Sequence, residues 1–191
     1  MKDGNKNMKN EVIKAIQNRI STRRYTEEQI GEEELQTILA AGIQAPSANN
    51  SQPWHFTVIQ NKEMINFISD KAKEVMLKSD NETIVNVGKG PLNIFYKAPT
   101  LIIVSGKKEV SSSLVDCSAA IENMLIASES MGLGTVWIGF VRFFFTLSEE
   151  VKKLNLPDGY EPFYAVAIGH KYNDTILGPS KREKDVINYI R

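Results

Sequence analysis

Three of the six arginines in this 191-residue chain fall within 19–24, Arg19-Ile20-Ser21-Thr22-Arg23-Arg24, interleaved with two hydroxyl side chains. Guanidinium forks bind phosphate oxygens bidentately, and Ser or Thr hydroxyls donate to oxygens left over. The segment therefore has the parts of a phosphate cradle. The plainer alternative is a solvated helix end whose cations complement the helix dipole. A second constellation lies at 45–54, where Ser47, Asn49, Asn50 and Gln52 offer donors and acceptors suited to the edge of a flat heterocycle. Its plainer alternative is an ordinary polar turn before a strand.

Other chemistries find little support. His55 and His170 are the only histidines, and neither has a second His, Cys or carboxylate at metal-ligand spacing. His170 follows a strand end and reads as a hydrogen-bonded surface residue. The single cysteine, Cys117, excludes an intramolecular disulfide and any multi-cysteine metal site. It sits on the apolar stripe of a helix, the place of a buried, inert thiol. Gly132 and Gly134 begin a G-x-G, but Trp137 stands where the dinucleotide fingerprint needs a third glycine. That stretch also leads into an apolar strand rather than a helix, so it is no Rossmann site.

Composition narrows the class further. Apolar residues make up 42% and charged residues 24%, ordinary for a globular protein. The length suits one domain over 1–191, with 1–11 expected to be flexible. Lys plus Arg and Asp plus Glu are each 23, and this balance argues against a nucleic-acid partner. The polar N-terminus lacks an export-type apolar region. The longest apolar stretch, 135–147, is interrupted by Arg142 and too short to span a bilayer. A reduced, cytoplasmic protein without a membrane partner is expected.

The elements that must position the two constellations follow from periodicity. Val12, Ile13, Ile16 and Ile20 recur at helical spacing, predicting a short helix ending near Arg19 or Ile20. Leu35, Ile38, Leu39, Gly42 and Ile43 share one face of a second helix, with Glu32, Glu33 and Glu34 in its first turn. Pro46 stops it. A strand at 55–60, a helix at 64–76 and a strand at 100–105, buried on both faces, come next. Residues 79–97 read as a polar, lid-like connection. A core helix spans 114–131, with Leu114, Cys117, Ile121, Met124, Leu125 and Ser128 on one stripe and Gly132 as C-cap. Strands at 135–139 and 162–169 flank a short helix starting at Ser148. The class is mixed α and β.

Taken together the motifs resemble those of the FMN-dependent nitroreductase superfamily. Arg19-x-Ser21-x-Arg23 followed by Tyr25 is similar to its opening motif, and Ala45-Pro46-Ser47-x-x-Asn50-x-Gln52-Pro53-Trp54 to its second signature. The helix around 119–125 with Gly132-Leu133-Gly134-Thr135-x-Trp137-Ile138-Gly139 resembles the core helix and glycine-rich strand entry. Ala165-x-Ala167-Ile168-Gly169-His170 followed by Lys181-Arg182 resembles the final strand and basic tail. The likeness covers roughly 12–188.

The resemblance implies an α+β fold with a central, mostly antiparallel sheet flanked by helices, and a homodimer with FMN at the interface. It implies an NAD(P)H oxidoreductase that reduces nitroaromatics, quinones or similar small planar acceptors in a ping-pong cycle, with NADH or NADPH as transient reductant. Arg19, Ile20 and Ser21 would hold the FMN phosphate and ribityl chain. Arg23 would sit near N1 and O2 of the ring, where reduction leaves negative charge. Ser47, Asn50 and Gln52 would reach the flavin from the opposite subunit. Val136, Trp137, Ile138 and Gly139 would pass backbone groups along the ring, and Lys181 with Arg182 would close on the phosphate. No side-chain acid or base is implied, since the cofactor carries the chemistry. Alternatives of the same fold are a flavin carrier or sensor, or a dehalogenating or flavin-fragmenting enzyme. Ile20 stands where the superfamily often has a basic residue.

Overall fold

The structure, a computed structural model, describes residues 10–172 and 182–191. Asn10 caps α1 (Glu11–Asn18) by accepting from the Ile13 N–H at 2.9 Å. Residues 10 and 11, expected to be flexible, thus belong to this helix start. The helix ends at Asn18, so Ile20 lies outside it. Its Val12, Ile13 and Ile16 stripe is 59%, 36% and 48% exposed, and only Ala15 is buried.

α2 (Glu32–Ile43) begins where the Glu34 carboxylate accepts from the Gly31 N–H at 2.7 Å. β1 (Trp54–Ile59) follows the amide-rich loop, and α3 (Lys62–Met76) is capped by Asn61, which accepts from the Met64 N–H at 2.7 Å. The segment 79–97 departs from the polar connection expected of it. Asn81 caps an eight-residue helix, α4 (Glu82–Lys89), and Ile94 and Phe95 are buried in the core. β2 (Thr100–Lys107), α5 (Ser113–Ser130), β3 (Leu133–Ile138), α6 (Arg142–Phe145), α7 (Ser148–Val151) and β4 (Tyr160–His170) complete the order.

The four strands form one sheet in the order β1-β2-β4-β3, every neighbouring pair antiparallel. This is the α+β architecture that the motifs implied. Alternation along the strands sorts side chains to two faces. Leu101, Ile103, Val136, Ile138, Ala165 and Ala167 face a layer containing α3 and Phe144 of α6. Ile102, Val104, Leu133, Val166 and Ile168 face Leu35 and Ile38 of α2, and Cys117, Ile121, Met124 and Leu125 of α5. Leu114, expected on the buried stripe of α5, is instead 45% exposed, because the first turn of the helix buries Ser113 and Asp116 against the protein and Leu114 lies off that face. No helix among the described residues is long and apolar enough to cross a membrane.

Candidate functional site

The chain leaves α1 at Arg19 and runs onto the outer edge of β3. Ser21 makes a parallel bridge to Thr135, and the Thr22 N–H donates to the Thr135 carbonyl at 2.9 Å. Thr22 is buried, and Tyr25 Oη donates to its carbonyl at 2.8 Å. Gly134 makes this approach possible: a Cβ there would lie 2.6 Å from Thr22 Cγ2. The G-x-G that is no dinucleotide fingerprint thus serves to seat the arginine segment. Tyr25 is 3.3 Å from the Ala167 carbonyl as well, and burial pushes its phenol far above the ordinary range, so it stays protonated.

Arg23 turns back beside Ser21, donating to its carbonyl at 3.4 Å, with its guanidinium 5.7 Å from the centre of the Tyr96 ring. Tyr96 and Lys97 both hold positive φ, +56° and +59°, an uncommon backbone for such side chains. Neither Arg19 nor Arg23 has a carboxylate partner among the described residues.

A cleft of about 600 Å3 opens along this edge. Its floor is Val136, Trp137, Ile138 and Gly139, and its walls are Arg23, Tyr96, Phe140, Arg142, Phe143 and Thr146. Backbone polar groups alternate in direction along a strand. Since the Thr135 carbonyl points outward to Thr22, the Trp137 N–H and C=O point outward too, into the cleft. The Trp137 ring packs the other way, edge-on to Tyr164 at 5.3 Å. Beyond the strand a Cβ on Gly139 would meet nothing within 4 Å. Two cations, no carboxylate, several aromatic rings and a free strand edge suit an anionic, planar heterocycle. The donor set therefore fits a phosphorylated flavin.

The amide-rich loop stands elsewhere. Ser47 Oγ accepts from the Gln52 N–H at 3.0 Å, and Gln52 Nε2 donates to Asn50 Oδ1 at 3.2 Å. Asn49, Asn50 and Gln52 have φ of +53°, +53° and +43°. The buried Asp116 of α5 holds the loop, accepting from the Ala48 N–H at 3.3 Å and from Ser112 Oγ at 2.8 Å. Register puts Trp54 beside Gly106 and Glu161, whereas Thr135 lies beside Ile168 and Thr100. Three strand spacings across and six residues along the sheet separate the two rows, roughly 24 Å. One chain does not unite the two constellations.

Of the remaining residues, Ile20 and Ser21 are half-buried beside Arg19, and Arg182 is exposed. Lys181 lies outside the described residues. Cys117 is buried, its Sγ 3.5 Å from the Ser105 carbonyl, and burial pushes its thiol up to about 12. Both are features of an inert thiol. No group of His, Cys, Asp and Glu among the described residues could hold a metal. Sequence reasoning missed Tyr96, Phe140, Arg142, Phe143 and Thr146. Arg142 alone carried a signal, as the one charge inside the 135–147 apolar run.

Comparison with known proteins matches residues 16–170 to the Nitroreductase family. An FMN reductase (NAD(P)H) of Bacillus subtilis is 32% identical over 189 residues, covering 94% of this chain and 73% of the relative. A Bacteroides fragilis nitroreductase with bound FMN superposes with a TM-score of 0.85 at 30% identity, over 96% of this chain and 100% of that one. A Desulfitobacterium hafniense nitroreductase with bound FMN gives 0.88 at 29% identity, with the same coverage.

Proposed function

The chain belongs to the nitroreductase family, and from that premise we propose that it is an FMN-dependent NAD(P)H oxidoreductase acting on nitroaromatics, quinones or similar planar acceptors. The observation that carries this reading is the cleft on the outer edge of β3, with two arginines, no carboxylate and a free backbone edge. FMN supplies, when bound, a ring that accepts a hydride from the nicotinamide and passes electrons to the acceptor in a second half-reaction.

The protein's part is to bind, orient and bias. Arg19, Ser21 and the Ile20 backbone would hold the phosphate and ribityl chain, with the cation of Arg182 in the tail available to the same phosphate. Arg23, steadied by Tyr96, places positive charge where negative charge develops, a preorganised electrostatic role that costs no rearrangement during turnover. The Trp137 N–H and C=O align a heterocycle edge, and Phe140 and Phe143 keep water from the ring. No side chain is required to move a proton in hydride transfer.

The same geometry supports a homodimer. The loop bearing Ser47, Asn50 and Gln52 is too far from the arginine segment of its own chain, so the loop of one protomer completes the cleft of the other. Apolar surface for such pairing is present on α1 and on the tail, where Val186, Ile187, Tyr189 and Ile190 are 63% to 95% exposed.

The test is a visible spectrum of the purified protein followed by anaerobic titration with NADH and NADPH. A yellow protein bleached by either is expected; a colourless one that takes up no added FMN refutes the reading. Arg19→Ala should weaken FMN binding by about 1.5–3 kcal/mol, the loss of a charged hydrogen bond. Unchanged affinity removes Arg19 from the site.

A further inference from the structure

On the other side of α6 lies a second cleft, of about 860 Å3, which meets the first at Arg142 and Thr146. The two side chains stand one helical turn apart and form the shared wall between the lobes. Arg142 is exposed, its backbone N–H donates to the Gly139 carbonyl at 3.2 Å, and its guanidinium has no hydrogen bond or ion pair with any described residue. A lone guanidinium at the waist of a two-lobed groove has the position of a ligand contact rather than a structural one.

The second lobe differs in chemistry from the first. Phe145, Tyr160 and Tyr164 supply ring faces and edges, and Lys108 adds a cation without a carboxylate partner among the described residues. Lys152 also lines it but is engaged by Glu149 at 2.7 Å. Two carboxylates, Asp158 and Glu161, are present as well, and these accept hydrogen bonds from hydroxyl or amino groups. Aromatic surface, a guanidinium at the waist, and a cation beside the acceptors at the far end, where the Lys108 N–H donates to the Gly159 carbonyl, make a complementary surface for a nucleoside joined through phosphate.

We propose that this second cleft binds the ADP-ribose half of NADH or NADPH, with Arg142 contacting the pyrophosphate between the two lobes. This rests on the oxidoreductase reading for the first cleft and adds where the rest of the dinucleotide lies. The nicotinamide end then occupies the aromatic lobe beside Val136–Gly139. The bridging dianion crosses the α6 wall at Arg142, and the adenosine end reaches Lys108 and Tyr160. Both lobes fall within the size range of small-molecule sites.

The experiment is calorimetric titration of the flavin-loaded protein with ADP-ribose, which lacks nicotinamide, for the wild type, Arg142→Gln and Lys108→Gln. Binding to the wild type is expected, weakened about tenfold or more by Arg142→Gln and less by Lys108→Gln. Steady-state rates with NADH and with reduced nicotinamide riboside, which carries no phosphate, give the second readout. The ratio of the KM for NADH to that for the riboside should rise about tenfold in Arg142→Gln. Should Arg142→Gln not fold, Lys108→Gln carries the test, because it lies on the second lobe alone. ADP-ribose that binds neither wild type nor variant, or binds all three equally, overturns the proposal. A yellow, NADH-reducible protein with no ADP-ribose binding sinks this inference only, whereas a colourless protein sinks the reading beneath it.

Discussion

Replacing Gly134 with alanine tests whether the arginine segment is seated as described. The added methyl carbon would lie 2.6 Å from Thr22 Cγ2 and 2.8 Å from both Thr22 Cβ and Oγ1. Apolar carbons rest at about 3.5–4.0 Å, so the segment must retreat by roughly 1 Å. Thr22 is 1% exposed, so its side chain has no open solvent to turn into. The retreat stretches the 2.9 Å hydrogen bond from the Thr22 N–H to the Thr135 carbonyl. Overpacking costs about 1–3 kcal/mol and a lost hydrogen bond about 1, offset by about 0.5 from the stiffer unfolded chain. A net loss of about 1.5–3.5 kcal/mol is expected, or roughly 3–14 °C in Tm for a domain of this size. The assay is denaturant unfolding read as a lower midpoint at unchanged slope, paired with FMN affinity, which should fall because Arg19 and Arg23 move with Thr22. Gly139→Ala is the control: open space surrounds that position, so stability should hold. A Gly134→Ala protein as stable as the wild type refutes the reasoning.

Three other outcomes are expected. Asp116→Ala strips the Ala48 N–H and Ser112 Oγ of their buried acceptor, so about 1.5–3 kcal/mol of stability should go, with faster amide exchange at 47–52; unaltered exchange there would free the loop from Asp116. The Cys117 thiol, ordinarily near 9.0 and raised to about 12 by burial, binds its proton more tightly folded than unfolded. Stability should therefore be full below pH 9 and decline as pH climbs toward 12, with Tyr25 adding in the same direction; alkaline unfolding curves that stay flat across that window contradict the burial of both. Ile16→Glu on the exposed stripe of α1 should shift sedimentation toward the monomer at dilute protein, and no change would place the subunit contact elsewhere.

Much of this molecule is legible in its sequence where periodicity and burial coincide. β2 is apolar at consecutive positions because helices cover both its faces, and the stripe from Cys117 to Ser128 is buried because α5 lies flat on the sheet. Leu114 broke the pattern at the helix start, where Ser113 and Asp116, a polar pair that hydrophobic periodicity does not count, occupy the buried face. In 79–97, a polar cap and a single eight-residue helix with few apolar positions gave no strong period, so α4 and the buried Ile94 and Phe95 went unread. The site shows the same division. Residue types alone pointed to 19–24 and to 45–54, since arginine clusters and amide-rich loops are local features. Tyr96, Arg142 and Phe143 join the cleft from two separate elements, and no local signal says that a tyrosine after α4 meets a strand some forty residues on. The role of Gly134 was equally hidden, because it depends on a threonine far earlier in the chain.

The distance across the sheet between the loop at 47–52 and the arginines at 19–24 has a genetic corollary. If every binding cleft draws its loop from a neighbour, damage to the two halves is not equivalent to damage to one. A chain defective in Arg19 and a chain defective in Gln52 each make a dead protein alone. Co-expressed, they pair at random, and each mixed pair holds one cleft with both defects and one with neither. Recovery of yellow colour on mixing two colourless parents would thus reveal complementation between alleles of a single protein.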